Sequence, residues 1–266
     1  MTTPALDHVG VVGNDLAALA AAYESLGFAL TPFARYADGR IGNRCVMLQC
    51  SYIELLAVVD SNARSATLER FIARYAGIHI LAFAIMDEQG AMERLRRAGI
   101  EQASVHRSAR PFDDADPGGP KAEFVLIQTP EQPEGRINLV RHLTPDVLWQ
   151  EPFMRHPNNA TVLEDIWIEV AEPADAAARL SRLVGCVVVP DPRGGYALDS
   201  AVGRVRLMRG QGGVVPRVAQ LSLRTSDSNA MIRRLMSERS IPACDDGHAV
   251  LVHAAAAGGV NICFQS

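Results

Sequence analysis

The chain has 266 residues, of which 48% are hydrophobic and 21% are charged, and its formal net charge is −4. This balance is typical of a packed globular protein and excludes a disordered chain, and the length allows one large domain or two ordinary ones. A mildly acidic chain without a block of Lys or Arg argues against nucleic acid as the main partner. No apolar run reaches the roughly 20 residues of a membrane-spanning helix, so we expect no membrane partner.

The N-terminal sequence and the cysteines indicate a cytoplasmic protein. Residues 1–10 contain neither a basic stretch nor an apolar core, so no signal peptide is predicted. The five cysteines are an odd number at scattered spacings without a CxxC pair. Such a set is typical of free thiols in a reducing compartment. We therefore expect a cytoplasmic protein that handles a small molecule.

The first unit of the chain is predicted to be a strand, a turn and a helix. Residues 6–28 begin with an apolar run that ends at Gly13, and Asn14 offers a helix cap. Apolar residues then recur at helical spacing up to Leu26, and Gly27 follows in the position that a helix-terminating glycine prefers. Further strands are predicted at 29–36, 44–50 and 52–59.

The same pattern returns three times along the chain. Residues 80–100 repeat it with Asp87 and Gly99 at the matching positions, and later copies occupy 164–185 and 219–241. The strands predicted after these helices are 103–108, 122–128, 136–142, 187–190, 195–199, 204–208, 249–254 and 260–264. One helix with its strands, repeated four times, predicts an α+β fold with curved, mostly mixed sheets.

On these segments the chain resembles the vicinal oxygen chelate superfamily, which includes glyoxalases, extradiol dioxygenases and bleomycin-resistance proteins. Three segments most closely resemble its glyoxalase-like domain branch, namely LDHVGVVGNDLAALAAAYESLGF, GIHILAFAIMDEQGAMERLRRAGI and RHPNNATVLEDIWIEV. The resemblance implies four βαβββ modules in two paired domains whose sheets curl around a cleft. We expect an N-terminal domain over 1–150, with modules at 5–60 and 77–148. A C-terminal domain is expected over 151–266, with modules at 161–210 and 216–266.

The resemblance also implies that metal ligands lie on the first and last strands of two paired modules. In module one these positions hold His8 and Glu54. A carboxylate flanked by Ile53 and Leu55 is costly to bury unless it is compensated. An imidazole and a carboxylate suit zinc, iron, nickel or manganese, and the pair still needs at least one more ligand.

Module two completes this predicted site less regularly. The position equivalent to His8 is Ile80, and the histidine is one residue earlier, at His79. Neighbouring side chains on a strand face opposite sides, so His79 reaches the cleft only if a bulge or a longer turn shifts the register. The last-strand position is Asn138, a neutral and weaker donor. We predict a divalent metal on His8, Glu54 and His79, with Asn138 as an auxiliary group, and leave the orientation of His79 open.

The C-terminal modules are expected to hold no metal. Their equivalent positions contain Ile166, Gln220, Arg206 and Asn261, and neither Ile nor Arg binds metal ions. Ring-cleaving dioxygenases that resemble this layout keep their iron in the second pair, so the resemblance disfavours an extradiol dioxygenase. An alternative is that this half serves only to cover the first.

Three further residues are predicted to bind the substrate. Arg44 opens a module-one strand and could pair with an anionic group. His106 and Arg107 are neighbours on a module-two strand, so one of them must face the cleft. The predicted substrate-binding residues are Arg44, His106 and Asn138. The predicted catalytic residue is Glu54.

Two functions are compatible with this site. In an enzyme, the metal would stabilise an enolate-like oxyanion of a small, partly apolar, oxygen-bearing metabolite while Glu54 or a water moves the proton, as in lyases and isomerases. In a binding protein, the same cleft would sequester a hydrophobic small molecule without metal, as resistance proteins of the superfamily do. Asn138 in place of a carboxylate favours the second interpretation. The resemblance also allows a homodimer.

Overall fold

The computed structural model describes residues 4–60, 62, 64–211 and 215–266. Two eight-stranded mixed sheets form the scaffold, with strand orders β2-β3-β4-β1-β5-β8-β7-β6 and β10-β11-β12-β9-β13-β16-β15-β14. The second order repeats the first with every strand number raised by eight. The α+β class and the paired arrangement of curved sheets predicted from the sequence are confirmed.

The first sheet contains the strands β1 (Ala5–Val12), β2 (Ala34–Arg35), β3 (Ile41–Met47), β4 (Tyr52–Val58), β5 (Gly77–Ala84), β6 (Ser104–Pro111), β7 (Lys121–Gln128) and β8 (Arg136–His142). The second contains β9 (Ala160–Val170), β10 (Val187–Pro190), β11 (Tyr196–Asp199), β12 (Arg204–Arg209), β13 (Arg217–Thr225), β14 (Ala243–Asp245), β15 (Ala249–Val252) and β16 (Asn261–Gln265). The division of the chain at residue 150 stays a prediction.

The helices are α1 (Leu16–Ser25), α2 (Ala66–Arg74), α3 (Glu88–Arg97), α4 (Pro145–Leu148), α5 (Glu151–Met154), α6 (Pro173–Val184) and α7 (Asn229–Glu238), with a 3₁₀ turn at Ala254–Ala256. The cap of α1 is Asp15, one residue after the predicted Asn14, and its carboxylate accepts from the backbone N–H groups of Ala17 and Ala18. None of the helices in the described ranges has the length and apolar character needed to cross a membrane.

One apolar core joins the two halves. It includes Leu6 and Tyr23 from the first half and Ile166 and Phe264 from the second, all fully buried. Each buried side chain of this size stabilises the fold by about 2 kcal/mol. The halves also meet through their backbones, because Leu6 N donates to Val202 O at 2.9 Å.

His156 lies in the segment that connects the two sheets. The Ala29 N–H donates to its Nδ1 at 3.0 Å, so Nε2 carries the proton and donates to Met47 O at 2.8 Å. The ring is buried. His156 therefore ties the connecting segment to the first half and has a structural place.

Candidate functional site

A cavity of about 360 Å³ opens on one face of the first sheet. Four of the six residues predicted for the site line it, and these are His8, Glu54, His106 and Asn138. Their roles stay predictions, but the fold brings them to one place. Between them lie apolar side chains from the sheet and from α2 and α4, namely Ile41, Leu56, Leu68, Ile80, Phe124, Leu126, Val140 and Leu148.

A β-bulge positions His8 beside an acidic neighbour. In the pairing of β1 with β5, Leu6 faces Phe83 and His8 faces Ala82, so Asp7 is the extra residue. Consecutive side chains normally point to opposite sides of a strand, and a bulge can re-aim one of them. Here the Asp7 carboxylate reaches Nδ1 of His8 at 2.7 Å.

Asp7 also contacts a second histidine. His142 Nε2 lies 3.1 Å from both carboxylate oxygens of Asp7. Burial alone would raise the pKa of Asp7, but the hydrogen bonds from His142 and His8 outweigh it and lower the pKa to about 2. The carboxylate is therefore ionised and can only accept hydrogen bonds.

The ionised Asp7 determines which nitrogen of His8 is free. Nδ1 must donate its proton to the carboxylate, so the lone pair of the neutral ring lies on Nε2. The ring stacks on Tyr52, with centroids 4.5 Å apart, which fixes its plane. His8 is 7% exposed and lines the cavity. The site thus presents a basic nitrogen that is held in one orientation.

Glu54 stands opposite this nitrogen on the neighbouring parallel strand. Its Oε2 lies 4.0 Å from His8 Nε2. The other oxygen, Oε1, accepts from the Tyr36 hydroxyl at 2.7 Å and from the Asn43 amide. These two donors compensate the burial of the charge, since Glu54 is only 4% exposed.

The structure does not bring His79 to this pair. A register shift does occur here, because Gly10 faces Ile80 and Val11 faces Ile78, which leaves His79 unpaired on β5. However, it is Ile80 that lines the cavity. The His79 ring stacks on Phe71 and Tyr75, and its Nε2 bonds the Tyr75 carbonyl at 2.8 Å.

The environment of His79 makes it a pH-sensitive element of stability. Burial lowers its pKa from 6.5 to about 4. The unfolded chain therefore takes up a proton at higher pH than the folded chain does, and stability is lost as the pH falls from about 6.5 to about 4. The variant His79→Phe keeps a stacking ring without a titratable group. Its melting temperature should fall less than that of the wild type between pH 7 and pH 4.5.

His156 contributes a second part of the acid sensitivity, which the His79→Phe variant retains. Burial also lowers the pKa of His156, so part of the acid sensitivity remains in the His79→Phe variant. Loss of the bond to Tyr75 costs about 1 kcal/mol at every pH and does not change the slope. Parallel curves for the two proteins would contradict the prediction.

The structure places Arg44, one of the predicted substrate-binding residues, outside the cavity that His8 and Glu54 line. Asn43 and Cys45 face Glu54 and its neighbours, so Arg44 between them points to the opposite side of β3. Its guanidinium bonds Thr31 O at 2.9 Å and forms an ion pair with Glu24 at 2.8 Å. Arg44 is absent from the lining of the cavity.

His106 and Asn138 hold different positions in the cavity. His106 is exposed and bonds the Ser104 hydroxyl at 2.8 Å, which places it at the mouth. Asn138 is 5% exposed, and its Oδ1 is buried without a hydrogen-bond partner. A buried polar atom without a partner is costly, so a bound molecule is the natural source of its missing hydrogen bond.

Sequence reasoning missed several polar residues of this site, Gln128 among them. Tyr36 and Arg110 line the cavity, and Asp7 and His142 orient His8. The chain offers a signal only for Arg110, which is four residues after His106 and so shares its face of the strand. The predicted strand ended at 108, whereas β6 continues to Pro111.

Trp149 covers the outer side of the histidine pair. Its Nε1 donates to Leu48 O at 3.0 Å, and its ring meets His142 edge-on at 5.0 Å and Tyr52 at 5.8 Å. The indole therefore packs against both the orienting histidine and the ring that stacks on His8.

The donor set does not fit a resident metal ion. In the part of the chain that the structure describes, no three His, Cys, Asp or Glu side chains are grouped so that they could hold one. Asp7 is occupied by two imidazoles, and the module-two positions hold Ile80 and Asn138. Only His8 Nε2 and Glu54 Oε2 remain, and a protein site normally supplies at least three ligands.

The equivalent place in the second sheet is filled by an ion-pair cluster. Arg206, at the position of Glu54, contacts Asp165 at 3.0 Å and pairs with the buried Asp191. Its guanidinium also lies over the Trp167 ring, 5.6 Å from the centroid. These charges neutralise one another within the protein.

Comparisons with known proteins agree with this architecture. The sequence profile described as a glyoxalase-like domain matches residues 6–184. A hypothetical protein from Staphylococcus aureus has a similar structure, with a TM-score of 0.72 and 11% identity over 98% of this chain and 99% of that chain. No curated protein matches the chain.

Two further solved structures have the same fold. A triple mutant of 4-hydroxymandelate synthase from Streptomyces coelicolor gives a TM-score of 0.63 at 12% identity, covering 99% of this chain and 92% of that one. A xylose isomerase-like TIM barrel/4-hydroxyphenylpyruvate dioxygenase fusion protein gives 0.63 at 10% identity, covering all of this chain and 49% of the other. At such low identity the likeness concerns the fold alone.

Proposed function

Since the chain belongs to the glyoxalase-like domain family of the vicinal oxygen chelate superfamily, we propose that it is an enzyme that moves a proton on a small, partly apolar, oxygen-bearing molecule. One observation supports this most strongly. His8 offers the lone pair of Nε2 to a cavity while Asp7 holds its other nitrogen at 2.7 Å. An oriented imidazole backed by a carboxylate is a common general base.

In this proposal His8 removes a proton from a carbon next to a carbonyl group. The imidazolium that forms lies between two carboxylates, Asp7 at 2.7 Å and Glu54 at 4.0 Å. Both are fixed before the reaction, so little reorganisation is needed when the charge appears. Returning the proton to another atom of the substrate gives an isomerisation, and loss of a leaving group gives a lyase reaction.

Glu54 is assigned a positioning role instead of the predicted proton transfer. Its Oε1 accepts two hydrogen bonds, from Tyr36 and Asn43. These bonds hold the side chain in one orientation. The remaining oxygen faces His8, where its charge favours the imidazolium.

Asn138 is assigned to the substrate oxygen. Its Oδ1 has no hydrogen-bond partner among the residues that the structure describes, and Gln128 faces Asn138 across the β7–β8 pair. A hydroxyl of the substrate would donate to Oδ1, and the amide N–H groups of the two residues would donate to a carbonyl oxygen. The cavity then selects a molecule with neighbouring oxygens.

The proposal is tested by hydrogen exchange in D₂O. The purified protein is incubated with a panel of 2-oxo acids, hydroxy ketones, aldehydes and esters, and loss of each C–H signal is followed by ¹H NMR. We expect catalysed exchange next to the carbonyl in at least one compound. Binding without exchange across the panel would contradict the enzyme proposal.

That contradicting result would favour sequestration, the second candidate function. Eight apolar side chains line the cavity, including Ile80 at a position where the superfamily resemblance implied a ligand. Such a surface retains an apolar molecule without any chemistry. The two candidates therefore differ in turnover and agree on where the ligand binds.

Removal of divalent ions is expected to leave the exchange rate unchanged. The donor set offers only His8 and Glu54, too few for a resident ion. The measurement compares protein before and after dialysis against EDTA, with elemental analysis of both samples. Near-stoichiometric metal that disappears in a His8→Ala variant would contradict this expectation and restore the metal-dependent interpretation.

A further inference from the structure

Arg110 lies at the inner end of β6. His106, Ser108 and Arg110 occupy alternate positions on this strand and all three line the cavity. His106 is exposed, Ser108 is half-buried, and Arg110 is only 5% exposed. These three side chains therefore run from His106 at the mouth of the cavity to the guanidinium of Arg110 at its buried end.

The positive charge of Arg110 lacks a direct partner. Among the residues that the structure describes, no carboxylate oxygen lies within 4.0 Å of its guanidinium. Its hydrogen bonds are both long, from Nη1 to Pro111 O at 3.4 Å and from Nη2 to the Cys45 sulfur at 3.9 Å. A buried charge without a partner costs several kcal/mol, so such a residue is expected to have an anion to bind.

Glu54 is not the anionic partner of Arg110. It lines the same cavity, but its Oε1 is used by Tyr36 and Asn43, and its Oε2 faces His8. Burial would lower the pKa of Arg110, and the nearby Cys45, Glu54 and Tyr36 raise it instead. The guanidinium thus stays charged while its donors remain available.

We propose that Arg110 binds a carboxylate of the ligand, so that the substrate is a small organic monoacid with an apolar body. This inference rests on the proposed function for what happens to the acid after binding. The planar guanidinium matches a carboxylate with two parallel hydrogen bonds. Phe124 and Leu148 in the same lining provide an apolar surface for the rest of the molecule.

The other arginines of the cavity are less suited than Arg110 to bind the carboxylate, since neither is buried. Arg107 is already paired with Glu88 at 2.9 Å. Arg136 lies beside α2, where it contacts the Thr67 hydroxyl at 3.3 Å and lies over Phe71. Arg110 is therefore the buried arginine of this lining, and one monoanion neutralises its charge.

The test compares an acid with its neutral isostere. Phenylacetate and phenylacetamide, and 3-phenylpropanoate with its amide, are titrated into the wild-type protein and followed by ligand-detected NMR. The acids should bind at least about tenfold more tightly than the amides, which corresponds to about 1.4 kcal/mol. In Arg110→Gln this preference should fall to within about twofold, and Arg110→Lys should keep part of it.

Arg44→Gln is the matched control. It removes the same charge from another strand of the same sheet, but Arg44 points away from the cavity and pairs with Glu24. The control should retain the full preference for the acid. Loss of the preference in both variants would indicate general attraction of anions and overturn the proposal.

Further outcomes are decisive in the same way. Wild-type protein that binds no acid more tightly than its amide, including no binding at all, overturns the carboxylate subsite. A structural role for Arg110 would lower the melting temperature of Arg110→Gln and leave the acid-to-amide ratio unchanged. If the acid preference persists in His8→Gln while no exchange is found in any protein, the subsite stands and the proposed proton transfer fails.

Discussion

Replacing His8 by glutamine is expected to lower the exchange rate by a factor of about 10² to 10⁴, the range that a general base contributes. Glutamine is polar and similar in size, so its amide can still donate to Asp7, which otherwise would be left with one partner. It has no basic nitrogen to direct into the cavity. The rate is measured by ¹H NMR in D₂O on the compound that the wild type exchanges fastest.

His142→Gln is the control for this prediction. His142 bonds the same carboxylate at 3.1 Å, but it does not line the cavity. Its replacement should change the rate by less than about tenfold, because only the orientation of Asp7 is affected. Equal losses in the two variants, or full exchange in His8→Gln, would exclude His8 as the base.

Replacing Gly259 by alanine is expected to destabilise the fold by about 3 kcal/mol or more. Gly259 has a φ of +94°, and a Cβ there would lie 2.0 Å from Ala76 O and 3.0 Å from Gly77 N. Those atoms are backbone and cannot rotate away. The free energy of unfolding, measured with urea, should fall accordingly.

Gly247→Ala separates the strain from the clash. Gly247 has a similar φ of +88°, but nothing lies within 4 Å of its added Cβ. This control should lose only about 1–2 kcal/mol, the cost of the left-handed conformation. If Gly259→Ala costs no more than Gly247→Ala, the contact between the halves is more yielding than the structure indicates.

The fold was predictable because its signal repeats. Asp15 and Asp87 cap their helices as equivalent residues, and Gly27 and Gly99 both have positive φ after them. Helix α2 was missed because it lies between modules and belongs to no repeat. Its apolar residues Leu68 and Phe71 close one end of the cavity region, so the omission also hid part of the site.

The site was predictable only where a position in the repeat determines a side chain. His8, Glu54 and Asn138 fall on such positions and line the cavity. Asp7 could not be found in this way, because it reaches His8 through a bulge that the alternation of apolar residues does not reveal. His79 shows the same limit: the register shift beside it is real, and yet its ring packs against α2.

Arg44 and Arg110 show that the face of a strand depends on its register. A shift of one residue in the register of β3 decides whether Asn43 or Arg44 faces the cavity. The sequence does not determine that choice, since polar residues occupy both positions. Arg110 was missed for a simpler reason. The strand β6 continues to Pro111, although a proline usually marks the end of a strand or an edge strand.

The place of Trp149 gives the protein an optical probe of its own. The chain has two tryptophans, and the other, Trp167, lies in the second sheet beside Arg193 and Arg206. We therefore expect a change in fluorescence on ligand binding to originate at Trp149, whose ring contacts His142 beside Asp7. Occupancy can be read without a label, and Trp167 supplies a constant background.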